Sequence, residues 1–195
     1  MGVFVMETAE KAIATEETDI MDDLKDQYWN LLAGFKYHEA FLRHYNKRLK
    51  TAINIVVGFS TISTGGMVIT WIVAERLINI LALVVTAAQV LQAVLPYTVY
   101  HSKSVAISFY LPKLQNMVLA MEKEWNEIDV LGKYTCEQLT EIISYRRKKH
   151  SDMELEYLNG FEFPDRKSIC RAAKKECDEF FLRLYKVEPG KEMNL

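Results

Sequence analysis

Charge is missing from the middle of this 195-residue chain. Residues Thr51 to Ala74 contain no Asp, Glu, Lys or Arg, and neither do Leu77 to Tyr100; only Glu75 and Arg76 separate these two runs of 24. Proline is scarce, with four residues, and so is glycine, with eight. With so little turn-forming material, and no apolar–polar alternation outside the two runs, the chain does not read as a sandwich or barrel of short strands. It has no Gly-rich phosphate loop, nucleophile elbow or paired-carboxylate motif, which argues against catalysis. The three cysteines, Cys136, Cys170 and Cys177, are an odd number and read as reduced thiols without a disulfide framework. The four histidines, His38, His44, His101 and His150, show no ligand-like spacing, so we expect no metal and no cofactor. A net charge of −2 gives no case for direct binding of nucleic acid. Met1 to Met6 is too short for a signal peptide, and Met6 stands where myristoylation of Gly2 would need Ser or Thr.

What is present instead is hydrophobic length. A bilayer core takes about 20 apolar residues of helix, so each run is long enough to span it. A charge at mid-span costs about 2.5–3.5 kcal/mol, whereas the Ser, Thr, Asn and Gly of the first run are tolerated far better. Two spans joined by the Glu75–Arg76 tip make a transmembrane hairpin. Arg43, Lys47, Arg48 and Lys50 precede it, and Lys103 and Lys113 follow. That excess of cations places both termini of a multi-pass protein in the cytoplasm.

The flanking segments carry helical periodicity. Leu24, Tyr28, Leu31, Phe35, His38, Leu42, Tyr45 and Leu49 step by fours and threes, as do Ile107, Leu111, Leu114, Val118, Met121, Trp125 and Ile128. The spacing predicts two long helices paired antiparallel, one entering the membrane and one leaving it. Glu39 falls off the first seam, and His38 reads as a hydrogen-bonded residue at a helix crossing. Pro112 predicts a kink or break near Ser108. Gly132 ends the second helix, and Thr135 with Gln138 makes a capping box for a third that runs to about Leu158. Pro164 opens a last helix, about 165–186. Cys170 and Cys177 lie on one face of it, as packing residues. The fold class is all-α: a two-helix transmembrane hairpin (51–74 and 77–100) within long helices over 20–130. A flexible acidic leader (1–19) precedes it, and a cytoplasmic helical extension (131–187) and a tail (188–195) follow.

Two groups of residues are candidate sites. Asn54, Gly58, Thr61 and Gly65 form a small or polar stripe on the first run. Asn79, Thr86, Gln89 and Gln92 lie in a comparable polar set on the second. Two readings stay open: close helix packing, or a wall facing water in an oligomer, since two helices cannot enclose a pore. Arg146, Arg147, Lys148 and Lys149 form the sharpest charge cluster, either a solvated helix face or a seat for an anionic partner.

A hairpin with a minimal tip, long amphipathic helices on both sides and a C-terminal helical extension resembles the SLATT family. The most specific part is KKHSDMELEYLNG, anchored on His150, Ser151, Asp152 and Tyr157, with Arg48–Leu49–Lys50 before the first run and His101–Ser102–Lys103–Ser104 after the second. It is similar to an Asn-His-x-x-Ile-Asp-Tyr-like segment of a stand-alone, defence-associated branch. Lys149 departs from the Asn of that pattern, Glu156 from its Asp, and the His-to-Tyr spacing is two residues longer. The resemblance implies an oligomeric membrane effector in bacterial antiphage defence, forming a pore or disrupting the bilayer. An upstream nucleotide-signalling or reverse-transcriptase-type protein would trigger it. The alternative is a non-conducting membrane scaffold whose cytoplasmic helices recruit a partner.

Overall fold

The computed structural model describes residues 3–70, 83, 86–87, 89–90 and 99–185; of these, 3–17 and 59–70 are described in backbone only. Four helices follow one another: α1 (Val3–Thr70), α2 (Val99–Asp129), α3 (Cys136–Tyr157) and α4 (Lys167–Tyr185). The described residues contain no strand, so the all-α class holds. No proline occurs before Pro96, and α1 runs unbroken for 68 residues, about 100 Å at 1.5 Å per residue. Its backbone is already helical through the acidic leader.

α1 is the hub, packed by each of the other helices. α2 lies antiparallel to it: Tyr28 meets Met121 and Glu124 at one end, while Asn46 meets Ser104 and Ser108 at the other. α4 is also antiparallel to α1, from Arg48–Ser168 to Trp29–Phe181. α3 runs alongside α1 in the same direction, with Arg146 bonded to Glu124 of α2 and His150 stacked on Phe35 of α1. The helices form a four-helix bundle over roughly the middle of α1.

The two expected seams form the core. Tyr28, Phe35, Leu42, Tyr45 and Leu49 of α1 are buried against Ile107, Leu114, Val118, Met121 and Ile128 of α2. The innermost stripe of α1 is nevertheless wider than a coiled-coil seam, because three helices cover it. Leu32, Glu39 and Asn46 are buried as well, and Glu39 is only 2 % exposed. That corrects its placement off the core. Its carboxylate is held by Arg43, by Lys36 Nζ at 3.1 Å and by Gln115 Nε2 of α2 at 3.0 Å.

The loops follow local chemistry. Gly132 sits at φ +55° and Gly160 at φ +81°, where a Cβ is strained, so each can end a helix. Thr135 Oγ1 accepts from the Gln138 amide at 3.3 Å, while the Thr135 amide donates to Gln138 Oε1 at 3.1 Å. Both halves of the capping box are therefore present. α2 continues through Pro112, so the expected break is absent. Around the turn that the proline weakens, Ser108 Oγ donates to the Ser104 carbonyl at 2.7 Å and accepts from Asn46 Nδ2 at 3.2 Å. α1 thus bonds to this turn from outside.

Among the described residues, no helix is long and apolar enough to cross a membrane. Described side chains in the first run stop at Gly58. Most of the second run and the Glu75–Arg76 tip lie outside the described residues.

Candidate functional site

The histidines that are scattered in sequence are not scattered in space. His38 on α1 and His150 on α3 approach with ring centroids 5.4 Å apart and planes nearly perpendicular, at 87°. Glu154, one helical turn after His150, faces both: its Oε1 lies 3.7 Å from His38 Nε2 and its Oε2 lies 3.6 Å from His150 Nδ1. α3 carries His150 and Glu154 on one face because residues four apart stack along a helix. Phe35 fixes the His150 ring by parallel stacking at 4.3 Å. Tyr110 of α2 completes the wall, its hydroxyl 3.0 Å from His150 Nε2.

Burial favours the neutral form of both imidazoles. Burial, with His150 alongside, lowers the His38 pKa to about 4. Burial also lowers that of His150, against an opposing pull from Glu154. Burial raises the Tyr110 phenol, and the Glu154 charge adds to that, so the hydroxyl stays protonated. His38 Nε2 is buried without a hydrogen-bond partner. His38 is packed at a helix crossing as expected, but this nitrogen has no hydrogen bond. A groove of about 300 Å³ lined by Tyr37, His38, Phe41, Leu42, Phe163 and Asp165 opens beside it. Two neutral imidazoles and a carboxylate can share a proton or hold a cation.

The residues singled out from the sequence lie elsewhere. Asn54 is exposed and Gly58 half-buried near the bundle end of the first run; Thr86 and Gln89 are exposed. Thr61 and Gly65 lie in the backbone-only part of α1, and Asn79 and Gln92 lie outside the described residues. The basic cluster divides. Arg147, Lys148 and Lys149 are exposed, but Arg146 is 7 % exposed and its guanidinium pairs with Glu124, which also accepts from the Tyr28 hydroxyl at 2.7 Å. Arg146 is therefore a bundle residue, already neutralised, and is withdrawn from the anionic-partner set. The His38–His150 pairing had no signal in sequence, because two helices distant in the chain supply it. The His150–Glu154 spacing was a legible half of the cluster. No family model matches the sequence, and no curated protein or solved structure is significantly similar to it.

Proposed function

We propose that the chain is a two-span membrane effector whose helical bundle sits in the cytoplasm at the base of an oligomeric, membrane-permeabilising assembly. The observation that carries this reading is where the uncharged runs leave the bundle. α1 exits and α2 returns at the same end, tied together by Ser104 Oγ donating to Asn46 Oδ1 at 2.7 Å. Beyond that tie apolar side chains lose their cover: Ile55 is 65 % exposed and Tyr100 62 %. Exposed apolar side chains occur elsewhere too, Val130 and Leu131 among them, but here they lead into the uncharged runs, which call for a lipid or protein covering. Exposed Lys47, Arg48 and Lys50 of α1 lie near the same end, as cations beside an anionic inner leaflet would. The resemblance to the SLATT family supports the defence context and an upstream trigger.

Flux through proteoliposomes tests the reading. The native oligomer, with its cognate trigger, should release entrapped ions or dye. Gln89→Leu should abolish release per assembled particle, because a hydrophobic constriction favours dewetting. If Gln89 only bonds between helices, the change costs oligomer stability about 0.6–2 kcal/mol and leaves flux per particle intact. Release from no native assembly, triggered or not, would favour the scaffold.

A further inference from the structure

The His38, His150 and Glu154 cluster has a geometry that hydrogen bonding does not explain. The carboxylate stands 3.6–3.7 Å from each imidazole nitrogen, too far for a good hydrogen bond. One of those nitrogens, His38 Nε2, is buried and unpartnered. Leaving such a group unsatisfied costs about 1–3 kcal/mol. Around a tetrahedral ion with arms of about 2.0–2.1 Å, ligand atoms stand roughly 3.3–3.4 Å apart. The three donor atoms lie within 4.8 Å of one another, so modest inward movement of side chains brings them to that spacing. All three are partly exposed, Glu154 the most, and it is the one with a long side chain free to move inward.

We propose that His38, His150 and Glu154 form a site for a divalent transition-metal ion of the zinc class, which ties α3 to α1. Two imidazoles with one carboxylate favour zinc-class ions over calcium or magnesium, which take mainly oxygen. His150 would bind through Nδ1, leaving Nε2–H to donate to the Tyr110 hydroxyl, the kind of outer partner that fixes a ligand's tautomer and orientation. The partial exposure of the Glu154 side chain leaves the ion a side open to solvent, from which water would complete the coordination. The ion would join helices that meet only through folding, so binding and bundle closure are linked.

The test uses the full chain in detergent, without a histidine tag, stripped with EDTA and titrated with Zn²⁺ alone. The expected result is one Zn²⁺ per chain and a raised melting temperature. His38→Gln and Glu154→Gln should each weaken binding by more than about tenfold, and Tyr110→Phe by about tenfold. His101→Gln should bind as the native chain does. Co²⁺ in place of Zn²⁺ should give visible d–d bands without a thiolate charge-transfer band. Because Glu154 lies on the exposed flank, Glu154→Gln should keep its helical circular dichroism; if the His38 variant does not fold, this variant and the Co²⁺ spectrum decide. The proposal is overturned if the stripped chain binds no Zn²⁺, if Glu154→Gln binds as tightly as native, if Mg²⁺ or Ca²⁺ stabilises equally, or if Co²⁺ reports a thiolate ligand. None of these outcomes depends on membrane permeabilisation.

Discussion

At the scale of single residues, polar groups decide what the apolar pattern leaves open. Glu39 lies in the core and gathers Arg43, Lys36 and Gln115, joining α1 to α2. Cys177 shows the opposite case, a side chain that is inert because it is buried. Its thiol is 2 % exposed and points at the Ala33 carbonyl 3.9 Å away. Burial, with Asp178 adding to it, pushes its pKa from the ordinary 9.0 to about 11. Thiolate is the reactive species, so alkylation at pH 8 should leave Cys177 unmodified while half-buried Cys136 reacts. The sign of the pH dependence follows. Between about pH 9 and 11 the unfolded chain loses this proton before the folded one does, so the thiol's contribution to stability falls as pH rises through that window. Mass spectrometry after timed iodoacetamide treatment checks the first point; equal modification of both cysteines at pH 8 would mean that Cys177 is not packed against α1.

At the scale of elements, the bundle depends on aromatic contacts between helices. Trp125 of α2 stacks with Tyr28 at 6.2 Å and meets Trp29 at 5.0 Å, and Trp29 in turn meets Phe181 of α4 at 4.8 Å. Phe35 makes the matching contact with α3 through His150. Phe35→Ala should destabilise by about 3–5 kcal/mol, the cost of truncating a buried aromatic, and Trp125→Ala, at a partly buried ring, by less. Glu39→Ala should cost about 1–3 kcal/mol, because it strands Gln115 and Lys36 without their acceptor. Denaturant unfolding in detergent reads all three, and a Glu39→Ala midpoint equal to native would show that its ion pairs contribute nothing. The helices and their caps were legible because they rest on local signals: the 3–4 spacing, Gly132, and the Thr135–Gln138 pair. Glu39 was misread because a carboxylate is not legible as a core residue until Arg43, Lys36 and Gln115 of α2 are placed around it. Pro112 breaks no helix, and Asn46, on another helix, bonds to Ser108 in the turn that the proline weakens.

At the scale of the whole molecule, the question is what covers the two uncharged runs that interrupt the bundle-forming sequence. If those runs cross a bilayer, a cysteine introduced by Glu75→Cys should react with an impermeant thiol reagent added outside intact cells. Cys136, at the start of α3, should react only after the membrane is opened. The protein should also stay in the pellet after alkaline carbonate washing. Labelling of Cys136 in intact cells would reverse the topology.

The sequence by itself determined the helical class, the antiparallel pairing of α1 and α2, the turn at Gly132 and the start of α3. Each depends on residues near one another in the chain or on a repeat that one stripe of side chains must satisfy. Only the tertiary structure decided that Arg146 is neutralised by Glu124, that Glu39 is buried, and that His38, His150 and Glu154 converge. Those outcomes depend on which helix faces which. A charged side chain carries no mark of its future partner, and an imidazole becomes a candidate ligand only when another helix brings a second donor within reach of the same ion.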